Sequence, residues 1–218
     1  MKKMIAFLML VLFIAGSALA ETSVWIAKTD STTMYIGGTI HVLRESDRPF
    51  PAGFDQAYDA SDMLVFETDI AGLNSPEVQQ KIIAQGIYSD DQTLDSVLSP
   101  ETYKKLKEYC SEQELSLELM NKFKPSMVMF TLLAIELQKL GINFEGIDLF
   151  YHNKAVADDK PEEGLESIDK QIEILTSLAD GNEDNFILYS IEDLKSLEEI
   201  FEQMSSAWKI GNIEKLEE

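Results

Sequence analysis

The chain has 218 residues and a formal net charge of −21 at pH 7, from 39 acidic and 18 basic side chains. That balance argues against a nucleic-acid partner, because phosphate binding needs clustered cations. A single cysteine, Cys110, rules out an intrachain disulfide, so stability has to come from packing.

Residues 1–20 read as a secretory leader. Lys2 and Lys3 form a positive start, Met4 to Ala15 is almost wholly apolar, and Ala18-Leu19-Ala20 offers small-x-small cleavage before Glu21. The apolar stretch is shorter than the ~20 residues that span a bilayer, so no stable membrane span is expected once the leader is cut. The expected location is secreted or periplasmic. Losing Lys2 and Lys3 with the leader takes the formal charge from −21 to −23. The remainder, 21–218, is long enough for one domain with a sizeable core. Its carboxylates spread over Glu101–Glu118, Asp158–Glu163 and the last third, the pattern of a solvated face.

Val24 and Ile26 alternate with Trp25 and Ala27, a turn follows at Asp30-Ser31, and Thr32 to Ile36 alternates again. This predicts an N-terminal hairpin that feeds Gly37-Gly38. Phe54, Ala57 and Tyr58 give helical spacing to Ala52–Ser61, which delivers a continuously apolar segment, Met63–Phe66, expected as a strand buried on both faces. From there helix dominates. Ser75-Pro76-Glu77 and Ser99-Pro100-Glu101 are repeated start signals, each a serine cap with proline and an acid in the first turn. Ser126–Leu140, stopped by Gly141, is expected to be central. Further helices are predicted over Ile147–Ala157, Ile168–Leu178 and Ile191–Ile210, with a short strand in Pro161–Glu166 and helix again from Ile213 to the end. The expected class is α/β, more strictly α+β, with a largely helical second half.

Two side chains carry most of the chemical signal. His41 follows Gly38 by three residues in Tyr35-Ile36-Gly37-Gly38-Thr39-Ile40-His41, where glycine lets backbone or ligand approach closely. Imidazole is a common metal ligand and a base near neutral pH, and a lone histidine at a strand end is also commonly a satisfied structural residue. Glu67 closes the apolar run, and a carboxylate in that position needs water, a cation or donors. If the two strands ran parallel in one open sheet, both groups would meet at its carboxyl end. His152, in Phe150-Tyr151-His152-Asn153, reads as a surface or packing residue, and Cys110 as packing. His-Glu-x-x-His, a phosphate-binding glycine loop and a Gly-x-Ser-x-Gly elbow are all absent from the sequence.

Taken in order, several short motifs resemble the TraB/GumN family, which includes pheromone-shutdown proteins and is related to the Tiki proteases. They are Gly38-Thr39-Ile40-His41 with Val42-Leu43, the helix ending near Ala60, Phe66-Glu67-Thr68-Asp69, Gly146-Ile147-Asp148, Gly164-Leu165-Glu166-Ser167 with Gln171, and Trp208-Lys209-Ile210-Gly211-Asn212. The resemblance covers essentially all of 21–218. It implies a domain related to the erythromycin-esterase and ChaN-like folds, with two Gly-x-x-His motifs and a glutamate forming a metal-dependent hydrolytic centre.

By that resemblance His41 would ligate a divalent ion, Mn, Co or Zn, and Glu67 would be a ligand or the base acting on water. Gly38, Asp148 and Glu166 are candidate supporting residues, and helix capping, turn formation or indirect hydrogen bonding would explain Asp148 and Glu166 equally well. Members of the family continue beyond Trp-x-x-Gly into an Arg-Asn helix and the second Gly-x-x-His, so the domain is expected to lack its C-terminal part. The leading functional expectation is therefore an exported metal-dependent hydrolase or peptidase whose site is incomplete in this chain. The alternative is a non-catalytic envelope protein that binds a peptide or a tetrapyrrole.

Overall fold

The computed structural model describes residues 22–73 and 75–216, so the expected leader over 1–20 lies outside the described residues. The hairpin forms as its alternation predicts. Strands β1 (Val24–Lys28) and β2 (Thr33–Gly37) pair antiparallel, with Trp25 opposite Ile36 and Ile26 opposite Tyr35. The Thr29 hydroxyl holds the turn by accepting from the Thr32 amide at 3.1 Å. Helix α1 (Ala52–Ala60) turns Phe54 and Tyr58 inward, four residues apart, and stops where Ser61 becomes extended.

Strand β3 (Leu64–Thr68) runs parallel to β4 (Glu162–Glu166), and these two form a sheet separate from the hairpin. Two expectations are corrected here. The strand starts and ends later than Met63–Phe66, which puts Glu67 inside it, and it is not buried on both faces, since Val65 is 51% exposed. With only two strands, one face packs inward through Leu64 and Phe66 and the other stays open. Because β2 and β3 belong to different sheets, a shared carboxyl end is not what relates His41 to Glu67.

The remaining helices are α2 (Ile70–Leu73), α3 (Pro76–Gly86), α4 (Leu94–Val97), α5 (Pro100–Glu112), α6 (Pro125–Lys139), α7 (Ile147–Ala157), α8 (Ile168–Ser177), α9 (Glu183–Lys195), α10 (Leu197–Lys209) and α11 (Ile213–Leu216). Ser75 and Ser99 cap α3 and α5 as predicted, accepting from the Val78 and Thr102 amides. The single helix expected over Ile191–Ile210 is two, α9 and α10, divided at Ser196. The division has a packing cause: α9 turns Ile187, Ile191 and Leu194 into one core, whereas α10 turns Phe201 and Trp208 into others. Among the described residues, no helix is long and apolar enough to cross a membrane.

Two main cores result. Leu94, Leu106, Val128, Leu132 and Ile187 form an aliphatic one among α4, α5, α6 and α9. The second is aromatic. In it Phe54, Tyr58, Tyr151 and Trp208 pack with Phe50 and Phe150 beneath the segment that carries His41. The mixed α/β class is as expected, with helix the larger share.

Candidate functional site

His41 sits in an irregular segment after β2, and backbone bonds fix that segment at both sides of the histidine. The Gly38 amide donates to the Ser23 carbonyl at 2.8 Å, the Ile147 amide donates to the Ile40 carbonyl at 3.0 Å, and Leu43 and Asn143 exchange two bonds of 3.1 Å. The Ile147 contact is possible only because residue 146 is glycine. A Cβ there would lie 2.2 Å from the Ile40 oxygen and 2.4 Å from the His41 backbone. Gly-Ile-Asp therefore brings the first turn of α7 directly against residues 40 and 41.

That approach places Asp148 on the imidazole. His41 Nδ1 lies 2.9 Å from Asp148 Oδ2, a contact spanning 107 residues of sequence. The imidazole is 60% exposed while the carboxylate is 22% exposed. Asp148 Oδ1 is buried and has no hydrogen-bond partner. The Asp148 bond raises the His41 pKa most; partial burial opposes it, and the charges of Asp148 and then Glu67 raise it further. With Nδ1–H donated to Asp148, the neutral ring presents a bare Nε2 outward, the arrangement by which a carboxylate fixes a ligating or basic histidine.

Glu67 therefore acts on His41 through its charge. Gly38 serves through its backbone: its carbonyl accepts the Trp208 Nε1–H at 2.7 Å. Glu166 is engaged elsewhere, its Oε2 accepting from Gln171 Nε2 at 2.7 Å and its carbonyl from the Thr68 hydroxyl at 3.0 Å. The carboxylates that shift His41 are Asp148 and Glu67, and Glu166 is not among them.

His152 has a partner that sequence reasoning missed. Its Nδ1 lies 3.1 Å from both oxygens of Glu162, at 12% exposure, with the Phe66 ring set edge-on at 6.3 Å. It is a packing residue and not a surface one. Cys110 is fully buried, and burial first, then the Glu118 charge, pushes its thiol up to about 11. That suits packing and not nucleophilic chemistry.

No group of three His, Cys, Asp or Glu that could hold a metal ion occurs among the described residues. One hollow, of about 720 Å³, is lined by Tyr88, Asp90, Lys124 and Glu183 among others and includes neither His41 nor Asp148.

A sequence model of the TraB/PrgY/gumN family matches residues 23–218. The chain belongs to the TraB/PrgY/gumN family. Neither a curated protein nor a solved structure matches it. The match runs through both halves of the site of this TraB/PrgY/gumN protein, the Gly38–His41 segment and the Gly146–Asp148 turn.

Proposed function

We propose that this TraB/PrgY/gumN protein is exported to the periplasm or beyond the cell and acts as a metal-dependent hydrolase of the peptidase type. The observation that carries the reading is the His41–Asp148 contact, with an imidazole held at Nδ1 and left open at Nε2. The unpartnered, buried Asp148 Oδ1 adds to it, since a carboxylate oxygen without a donor favours a nearby cation.

These residues fit one side of a divalent-ion site. His41 Nε2 would be the nitrogen ligand, Glu67 a second ligand or the base, and Asp148 the carboxylate that orients the imidazole. A catalytic zinc site commonly uses three protein ligands and one open position, so the reading calls for a further donor beyond His41 and Glu67. A bound divalent ion supplies an acidified water and polarises a carbonyl oxygen. The residues of the chain would do the rest: Asp148 would hold the ring in one tautomer, and Glu67, where it is the base and not a ligand, would accept the proton of water.

The test is the metal content of the purified protein, with Mn, Co and Zn offered separately, compared with His41→Ala and Glu67→Ala. Loss of bound metal in both variants is expected, and equal content in all three rejects the assignment. The lack of a three-residue donor group among the described residues favours a second reading, non-catalytic binding of a peptide or a tetrapyrrole. Peptide or haem binding that survives His41→Ala, with no cleavage at any metal concentration, would select it.

A further inference from the structure

We propose that helix α10 is the clamp that positions His41, with Trp208 as its principal positioning residue. This rests on the reading of His41 as the working imidazole. The last turn of α10 grips the His41 segment at both of its ends. At one end the Trp208 indole Nε1–H donates to the Gly38 carbonyl at 2.7 Å, three residues before the histidine. At the other, Lys209 Nζ donates to Asp47 Oδ1 at 2.6 Å, while Asp47 Oδ2 accepts from the Arg44 amide at 2.7 Å.

Between those points α10 also holds Arg44, whose guanidinium lies 4.8 Å over the Phe201 ring and pairs with Glu202. The helix is itself tied to the first strand, since the Ser23 hydroxyl donates to the Trp208 carbonyl at 2.8 Å. Gly211, at φ +66°, then lets the chain double back so closely on Thr22 that a Cβ would stand 2.6 Å from its oxygen.

Of the segment's other anchors, the Gly38 amide is bonded to the Ser23 carbonyl, and those at Ile40 and Leu43 come from the stretch that also carries Asp148. The grip of α10 comes from a different part of the chain, 170 residues from Gly38. Trp208 is 2% exposed and packs on Phe54 and Phe50, so a purely structural tryptophan is the competing account. Trp208→Phe separates the two, because it keeps most of the ring packing and removes only the indole donor.

The experiment is a two-bond ¹H–¹⁵N spectrum of the imidazoles of the full chain, at about pH 8.5, where imidazole is neutral. With only two histidines, His41→Ala assigns both signals. The parent is expected to show His41 as the Nδ1–H tautomer. In Trp208→Phe the His41 signals should move toward the Nε2–H tautomer of free imidazole while those of His152 stay in place. Lys209→Met should produce a smaller move in the same direction, and it serves alone if Trp208→Phe fails to fold.

Leu106→Ala, in the aliphatic core, should lower the melting temperature without moving His41. Folded Trp208→Phe and Lys209→Met whose His41 signals superimpose on the parent would overturn the clamp. The readout uses no metal, so a failed metal assay would sink the proposed reaction and leave this result to stand or fall separately.

Discussion

The protein contains two histidine–carboxylate pairs that share one helix and differ in what surrounds them. Asp148 and His152 are four residues apart on α7 and so lie on one face of it. Asp148 reaches out to His41, 60% exposed, on an irregular segment; His152 reaches Glu162 on β4 and is 12% exposed. In the first pair the imidazole keeps a free nitrogen toward solvent. The second imidazole is enclosed by Phe66 and a strand, and it fastens β4 to α7. Pairing alone therefore does not separate the two histidines; the exposure of His41 does.

The largest effect should come from the contact that creates the open pair. Gly146→Ala drives a methyl into the backbone of Ile40 and His41, neither of which can swing aside as a side chain would. A loss of about 3 kcal/mol is expected, or about 6–12 °C in melting temperature for a chain of this size. A melt by circular dichroism measures it. A drop below about 2 °C would mean that α7 is not held against the histidine segment as described.

Isosteric neutralisation of the two carboxylates should then split the pairs. Glu162→Gln weakens the bond to an enclosed imidazole and is expected to cost about 1–2 kcal/mol. Asp148→Asn removes a charge whose Oδ1 is buried without a donor, so its stability should be unchanged or up to about 1 kcal/mol higher. In the proposed reading its cost falls on function instead: the hold on the His41 tautomer should weaken and metal uptake should decline. If Asp148→Asn proves the more destabilising of the two, then Asp148 is a structural residue and the open pair is no site.

How much of this was legible in the sequence follows from the range of each interaction. The caps at Ser75 and Ser99 and the hairpin are local, decided within a few residues, and the sequence pattern located them. The break at Ser196 was not legible, because Ile191 and Phe201 belong to different cores and nothing in the helical spacing says so. Glu67 appeared to end a buried strand since an apolar run does not reveal that its sheet has only two members. His41 and Glu67 stand out by residue type and setting. The Asp148–His41 contact, 107 residues long, had only Gly-Ile-Asp as a signal, and its meaning lies in the space a Cβ would have filled. Glu162 as the partner of His152 needed the position of β4 beside α7, which no local pattern carries.

The smallest effect is in the pH dependence of the open pair. Asp148 and Glu67 raise the His41 pKa above its ordinary 6.5, so folding binds the proton more tightly than the unfolded chain does. The stabilisation is then fully present below about 6.5 and fades as pH rises through the raised folded value. At 60% exposure solvent screens it, and less than about 1 kcal/mol is expected. The measurement is the difference in melting temperature between parent and Asp148→Asn at about pH 5.5 and about pH 8.5. Whatever the offset between the two proteins, the parent should gain relative to the variant on going to the lower pH, by about 1–3 °C. A pH-independent difference would mean that His41 titrates without sensing Asp148, and the distinction between an open, tuned imidazole and an enclosed, structural one would then rest on exposure alone.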